Sequence, residues 1–227
     1  MRSEVYTIFP IFLVVDVSAS MAGGAIEALN NSLPAIKSEM LTNPTIGEIA
    51  RISIVTFSDV GRTILPLCDL IDWDIPEIAI EGGTNFAAGL RETRQAITSG
   101  LADLPKGTPI YRPVVFFMSD GEHQSAEDWE PALNELKDPR WKFSPEVVAF
   151  GFGNANADAL RHIATRFAFL STNADPGSQI HEIVNADLLL FSWAVWQCRA
   201  QAAAGEHRHG DEGFGCVESV GAFGQCS

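Results

Sequence analysis

Residues 8–20 have the sequence IFPIFLVVDVSAS, in which an unbroken apolar run leads directly into alternating polar residues. A short, continuous run rich in Ile, Val and Phe is typical of a strand that is buried on both faces of a sheet. The run ends at Asp16, whereas the apolar core of a secretion signal avoids an acidic residue. The segment therefore predicts a central strand over Ile8–Val15, with polar side chains at its carboxyl end.

Strand-like and helix-like patterns alternate along the rest of the chain. Further apolar runs predict strands at Ile49–Phe57, Thr63–Leu67, Pro113–Met118, Val147–Phe152 and Phe167–Leu170. Apolar residues spaced three or four apart predict helices within residues 26–40, 86–97, 129–136, 160–163 and 180–191. Pro34 lies inside the first helical pattern and predicts either a kink or a later helix start.

This alternation predicts an α/β fold in three layers, a mostly parallel sheet with helices on both faces. The short turn between Ile49–Phe57 and Thr63–Leu67 predicts one antiparallel edge strand. A chain of 227 residues with 46% hydrophobic residues suits one main domain, which we expect over residues 1–198. Hydrophobic periodicity is lost beyond it, and residues 199–227 are predicted to be a flexible tail.

The charge balance excludes some classes of partner. The chain has 29 acidic and 15 basic residues, a net charge of −14. Such a surface repels phosphate backbones, so nucleic acid is not expected as a partner. No apolar run approaches the roughly 20 residues of a membrane span, and no membrane association is expected. The four cysteines show no metal-site or paired spacing, which favours a reducing, cytoplasmic setting.

Oxygen-bearing side chains follow two of the predicted strands and also occupy the loop before the second helix. Ligands in open parallel sheets bind beyond the carboxyl ends of the strands, so we expect these side chains to lie close together. The Gly82-Gly83 pair lets the chain turn tightly in that loop. The candidate metal ligands are Asp16, Ser18, Ser20, Thr84 and Asp120.

These residues offer only oxygen atoms, which hard cations such as Mg²⁺ prefer. Two carboxylates balance a divalent ion, and hydroxyl groups add no further charge. The ion would therefore remain electrophilic toward a carboxylate from outside the chain. This charge count predicts a docking site rather than a sealed structural site.

The Asp-x-Ser-x-Ser pattern at 16–20, with Thr84 in GGTN and Asp120 in SDGE, resembles the metal-ion-dependent adhesion site (MIDAS) of von Willebrand factor A (vWA) domains. The resemblance covers about residues 5–192 and implies a Rossmann-like three-layer vWA fold. It further implies that Mg²⁺ or Mn²⁺ binds, with Ser18 and Ser20 coordinating directly and Thr84 directly or through water. Asp16 and Asp120 would act partly through water, and a partner protein's Asp or Glu would complete the shell.

Within that superfamily, the stretches FLVVDVSASMAG, IEGGTNFAAGL and VVAFGFG resemble the bacterial tellurium-resistance TerY-like proteins. This narrower resemblance implies an adaptor in a chemical-stress phosphorylation system, with a kinase or phosphatase of the same operon as partner. It implies no enzymatic activity. The C-terminal stretch departs from the pattern expected of that group, which leaves its role open.

Two other functions fit parts of the pattern. An aspartate at a strand end beside Mg²⁺ is also found in phosphohydrolases with an aspartyl nucleophile. Such sites pair the first aspartate with an acid two residues later, where this chain has Ser18. The second alternative is a structural domain whose metal site is vestigial. His123, beside Asp120, is interpreted as a solvent-facing loop residue rather than a general base.

Overall fold

The computed structural model describes residues 6–151, 153–170 and 216–219. The strands are β1 (Phe9–Asp16), β2 (Ala50–Phe57), β3 (Gly61–Asp69), β4 (Val114–Ser119), β5 (Glu146–Gly151), β6 (Phe167–Leu170) and β7 (Cys216–Ser219). The helices are α1 (Gly24–Thr42), α2 (Pro44–Ile49), α3 (Phe86–Ala102), α4 (Glu130–Leu136) and α5 (Ala157–Ile163), with a 3-10 turn at Ala19–Met21. Among these residues, no helix has the length and apolar character that a bilayer crossing requires.

The strands form one sheet in the order β3-β2-β1-β4-β5-β6-β7. Strand β3 pairs antiparallel with β2, and every other pairing in this sheet is parallel. The predicted α/β architecture with one antiparallel edge strand is therefore confirmed. Strand β1 is third in this order, between β2 and β4, so the polar residues that follow it emerge away from the two outer strands of the sheet.

Alternating side chains of β1 supply two separate hydrophobic cores. Phe9, Ile11, Leu13 and Val15 face the helices α1 and α2. Phe12 and Val14 face α3, α4 and α5 on the other side. Because both faces are covered, all eight residues of β1 are buried, which explains the continuous apolar run in the sequence. The predicted layers on both faces are thus present.

Three details differ from the sequence prediction or extend it. Helix α1 begins at Gly24 and contains Pro34, so this proline does not mark a later start. Helix α2 has six residues and was not predicted. Strand β7 falls inside the predicted tail, whose other residues lie outside the described part of the chain. The helix expected within residues 180–191 also lies outside it.

A long connection, residues 70–85, leads from β3 to α3 and carries part of the candidate site. Asn30 of α1 holds it by exchanging two hydrogen bonds of 2.9 Å with the backbone of Ile78. The buried side chains of Trp73 and Ile78 insert into the core beside α1. The end of this loop is therefore fixed against the carboxyl end of the sheet.

Candidate metal site

Asp16 is the last residue of β1 and is completely buried. Its Oδ1 accepts a hydrogen bond from the Ser18 backbone N–H at 2.9 Å, and its Oδ2 accepts one from Ser119 Oγ at 2.6 Å. Burial raises the pKa of the Asp16 carboxyl, and these hydrogen bonds oppose that shift. Both oxygens are engaged by the protein, so the carboxylate is held in one orientation.

A chain of hydrogen bonds connects the two serines to the second carboxylate. Ser20 Oγ donates to Asp120 Oδ1 at 2.7 Å, and Ser18 Oγ lies 3.0 Å from Ser20 Oγ. Because the single proton of Ser20 goes to Asp120, Ser18 must be the donor in the second contact. Both hydroxyl oxygens keep lone pairs for another ligand. Burial also raises the pKa of Asp120, with the Ser20 bond opposing the shift.

Thr84 reaches the same place from the loop before α3. Its backbone carbonyl accepts a hydrogen bond of 2.9 Å from the Gln124 N–H, which links this loop to the one after β4. The side chain is 2% exposed, and its Oγ1 has no hydrogen-bond partner within the described residues. Buried hydroxyls are nearly always bonded, so an unbonded one calls for a ligand or a water molecule.

Gly121 leaves an opening between Ser20 and Thr84. A Cβ built on Gly121 would lie 3.5 Å from Ser20 Oγ and 3.7 Å from Thr84 Oγ1. The two hydroxyl oxygens therefore face one small space that a larger residue at 121 would fill. The structure thus brings together all five residues that the sequence singled out: four through hydrogen bonds, and Thr84 through this shared space.

The loop that carries Thr84 depends on two glycines. Gly82 has a φ of +30°, and a Cβ there would lie 2.1 Å from Asp59 Oδ2. A Cβ on Gly83 would lie 2.8 Å from Asp59 Oδ1. The positive φ favours glycine at position 82, whereas at position 83 a side chain would require the exposed Asp59 carboxylate to move. Ala19 donates to the Gly82 carbonyl at 3.1 Å, so the loop also bonds to the segment after β1.

His123 has a role that the sequence did not indicate. Its Nδ1 accepts a hydrogen bond of 3.1 Å from the Phe86 N–H, and its Nε2 lies 2.6 Å from the Glu127 carbonyl oxygen. The ring is half-buried and satisfies a free N–H of the first turn of α3, while Asn85 accepts from Ala88 in the same turn. His123 lies in the loop after β4, as predicted, and its half-buried ring is bonded to the backbone rather than free in solvent. Only the tertiary structure places residue 123 beside residue 86.

Ser119 was also missed by the sequence analysis, although it directly precedes Asp120. It is fully buried at the end of β4 and, besides donating to Asp16, accepts from the Gly121 N–H at 3.2 Å. A buried serine between an apolar strand and an acidic turn is a weak signal in a sequence. Its bond joins the ends of neighbouring strands β1 and β4.

The comparisons with known proteins agree with this architecture. The family model of the von Willebrand factor type A domain matches residues 11–186, more than half of the chain. The chain therefore belongs to the von Willebrand factor type A domain family, whose domains often mediate protein–protein interactions. A comparison with curated proteins gives no match.

Several solved structures share the fold at low sequence identity. Proximal thread matrix protein 1 from the mussel byssus matches with a TM-score of 0.62 and 20% identity over 82% of this chain and 48% of that protein. Another structure of that protein is described as having a zinc-occupied MIDAS motif (TM-score 0.57, 20% identity, 81% and 46% coverage). A mutant of the PilB minor pilin from Streptococcus sanguinis matches with a TM-score of 0.60 and 11% identity, covering 86% of this chain and 64% of the pilin. The chain thus spans about half the length of the mussel protein.

Proposed function

We propose that this domain binds Mg²⁺ or Mn²⁺ through Asp16, Ser18, Ser20, Thr84 and Asp120, and that the bound ion captures an acidic side chain of a partner protein. The observation that carries the proposal is the Thr84 hydroxyl, which is buried without a hydrogen-bond partner in the described structure. It faces the same space as Ser20 Oγ. An ion in this space would supply the missing interaction for Thr84.

The charge of the site supports docking rather than permanent metal storage. No group of three or more His, Cys, Asp or Glu side chains in the described residues is arranged to hold a metal. Only Asp16 and Asp120 contribute carboxylates, and Asp16 already accepts two hydrogen bonds. These two carboxylates balance the charge of a divalent ion without an excess of negative charge, so the ion would remain a Lewis acid that can accept a further carboxylate.

The exposure of the ligands supports contact with a partner. Ser18 is 2% exposed, whereas Ser20 is exposed and Asp120 is half-buried. The candidate ligands are thus buried next to the end of β1 and accessible to solvent at Ser20 and Asp120. A partner's Asp or Glu would approach from the side of these two residues.

The proposal assigns no catalytic residue. Position 18 is a serine whose hydroxyl donates to Ser20, so it does not supply the second acid that an aspartyl phosphohydrolase requires. His123 uses both ring nitrogens to hold the backbone. We therefore favour an interaction module over an enzyme.

The finer assignments rest on the sequence resemblance alone. We propose a TerY-like adaptor role in a bacterial stress-response phosphorylation system, with a kinase or phosphatase as partner and a cytoplasmic location. Within the described residues Cys68 is a free thiol, which suits a reducing compartment. Metal-dependent capture of such an enzyme from the native host would support this adaptor role.

Calorimetric titration of Mg²⁺ and Mn²⁺ into chelator-stripped protein tests the metal site. We expect one-site binding in the wild type, a loss of at least about tenfold in affinity for Asp120→Asn, and no change for the exposed control Asp74→Asn. Equal affinity in folded Asp120→Asn and wild type would disprove the site. Partner capture should be lost on chelation, and a complex that survives chelation would disprove metal-dependent docking.

A further inference from the structure

An open cleft of about 420 Å³ lies at the same edge of the sheet as the metal site. One wall is the loop after β4, which contributes Glu122 and His123, and the opposite wall is the start of α5. Glu122 follows Asp120 by two residues, so their Cα atoms are at most about 7 Å apart. The cleft therefore begins next to the site proposed to receive the partner's carboxylate.

Three carboxylates line this cleft, and two of them also pair with a basic side chain. Glu122 accepts a single hydrogen bond of 3.3 Å from Asn156 Nδ2. Glu130 pairs with His162 Nε2 at 2.8 Å and keeps 45% of its side chain exposed. Asp158 pairs with Arg161 Nη1 at 2.5 Å and is 91% exposed. The carboxylates outnumber the basic groups that pair with them, so the cleft attracts positive charge.

An aromatic ring completes the cleft. Trp129 lines it and is half-buried, held by edge-to-face contacts with Phe86 at 5.9 Å and His162 at 5.6 Å between ring centroids. A guanidinium group is planar, pairs with carboxylates through several N–H groups and stacks on indole rings. An ammonium group can also lie over an indole ring, but it lacks the planar fork that pairs with a carboxylate through two parallel N–H groups.

We propose that this cleft is a second subsite of the docking surface and receives an arginine side chain of the same partner. The proposal rests on the metal-dependent docking described above, since the two subsites would hold one segment with an acidic residue and a nearby arginine. The metal subsite selects negative charge, and the cleft selects positive charge. Their separation would select the spacing between the two residues.

The cleft can be tested alone with small probes in metal-free protein. The probes are Nα-acetylarginine amide and its uncharged isostere Nα-acetylcitrulline amide, titrated at low salt while the backbone resonances of Glu122, Trp129 and Asn156 are followed by NMR. We expect saturable shifts that are confined to the cleft, with citrulline binding about two- to fivefold more weakly. Glu122→Gln combined with Glu130→Gln should remove that difference. Glu135→Gln, an exposed change outside the cleft on the same helix, should keep it.

Tripeptides then test the coupling to the metal. With Mg²⁺ present, acetyl-Glu-Gly-Arg-amide should bind about two- to fivefold more tightly than the citrulline analogue. Chelation should abolish the advantage of Glu over Gln at the first position and leave the advantage of arginine. Equal binding of arginine and citrulline, or shifts scattered over the acidic surface, would overturn the cleft proposal. Arginine selectivity without any effect of Mg²⁺ would instead overturn the metal-dependent function.

Discussion

Replacing Thr84 by Val gives opposite outcomes for stability and for metal binding. Valine keeps the shape of threonine and removes the buried hydroxyl that has no partner in the described structure. An unsatisfied buried polar group costs about 1–3 kcal/mol. The metal-free variant should therefore be more stable than the wild type by this amount. For a protein of this size, that gain corresponds to a rise of roughly 2–12 °C in Tm.

With excess Mg²⁺, the wild type should be more stable than Thr84→Val. A ligand at a thousand times its Kd stabilises a protein by about 4.1 kcal/mol, which exceeds the gain expected for the metal-free variant, and this stabilisation requires an intact site. Thermal unfolding with chelator and with excess Mg²⁺ should show a rise in Tm for the wild type and almost none for Thr84→Val. The same titration by calorimetry should show lost or strongly weakened binding in the variant.

Thr93→Val is the matched control. Thr93 is also fully buried, but its Oγ1 donates to the Gly89 carbonyl at 2.7 Å. Its replacement should lower the stability by about 0.5–1.5 kcal/mol and leave the response to Mg²⁺ intact. If Thr84→Val destabilised the metal-free protein as Thr93→Val does, a water molecule or a protein group would satisfy the Thr84 hydroxyl there, and the argument from the unbonded hydroxyl would fail. An equal rise in Tm with Mg²⁺ for Thr84→Val and the wild type would refute the metal site itself.

Three further outcomes are expected. Gly121→Ala adds a methyl group at ordinary contact distance from the hydroxyls of Ser20 and Thr84. The affinity for Mg²⁺ should fall at least about tenfold, while the Tm in chelator should not change. Retained affinity would show that the ion does not occupy the space between these two hydroxyls. Burial raises the pKa of Asp16 and of Asp120 above the ordinary value of 3.8. Between 3.8 and the raised pKa values, the folded metal-free protein therefore holds protons that the unfolded chain has lost. The stability of the metal-free protein should fall as the pH rises through this window. The Mg²⁺-induced rise in Tm should grow over the same window, and a response independent of pH would contradict the assignment. His123→Ala leaves the Phe86 N–H without its acceptor. The free energy of unfolding should fall by about 1–2 kcal/mol, and the affinity for Mg²⁺ should fall with it. An unchanged free energy of unfolding would exclude the capping role of His123.

The inner strands of the sheet were predictable because they are buried on both sides. Runs such as Ile8–Val15 and Pro113–Met118 correspond to β1 and β4 within one residue at each end. Helix α2 has only six residues, too few for a helical period to show. Strand β7 lies in a glycine-rich region without alternation, and its pairing with β6 depends on tertiary contacts that no local pattern encodes. Long, apolar elements were therefore predictable, and short ones were not.

The candidate ligands were predictable because they share a simple rule of position. Asp16 and Asp120 end or follow strands, and parallel strands bring their carboxyl ends to one edge. The contacts that hold these residues were not predictable. Ser119 reaches Asp16 across 103 positions, and His123 reaches Phe86 across 37. Whether a buried hydroxyl such as that of Thr84 finds a partner depends on atomic distances, which a residue pattern does not contain.

The strongly acidic chain raises a question about the proposed partner. A net charge of −14 repels an acidic segment, although salt limits this repulsion to about 8–10 Å. A bound divalent ion would cancel the negative charge locally, because its two positive charges balance the two carboxylates of the metal site. The cleft lined by Glu122, Glu130 and Asp158 would meanwhile attract an arginine of the same segment. A partner carrying one acidic and one basic residue would thus gain from both subsites, whereas a uniformly acidic partner would gain from one and be repelled by the rest of the surface.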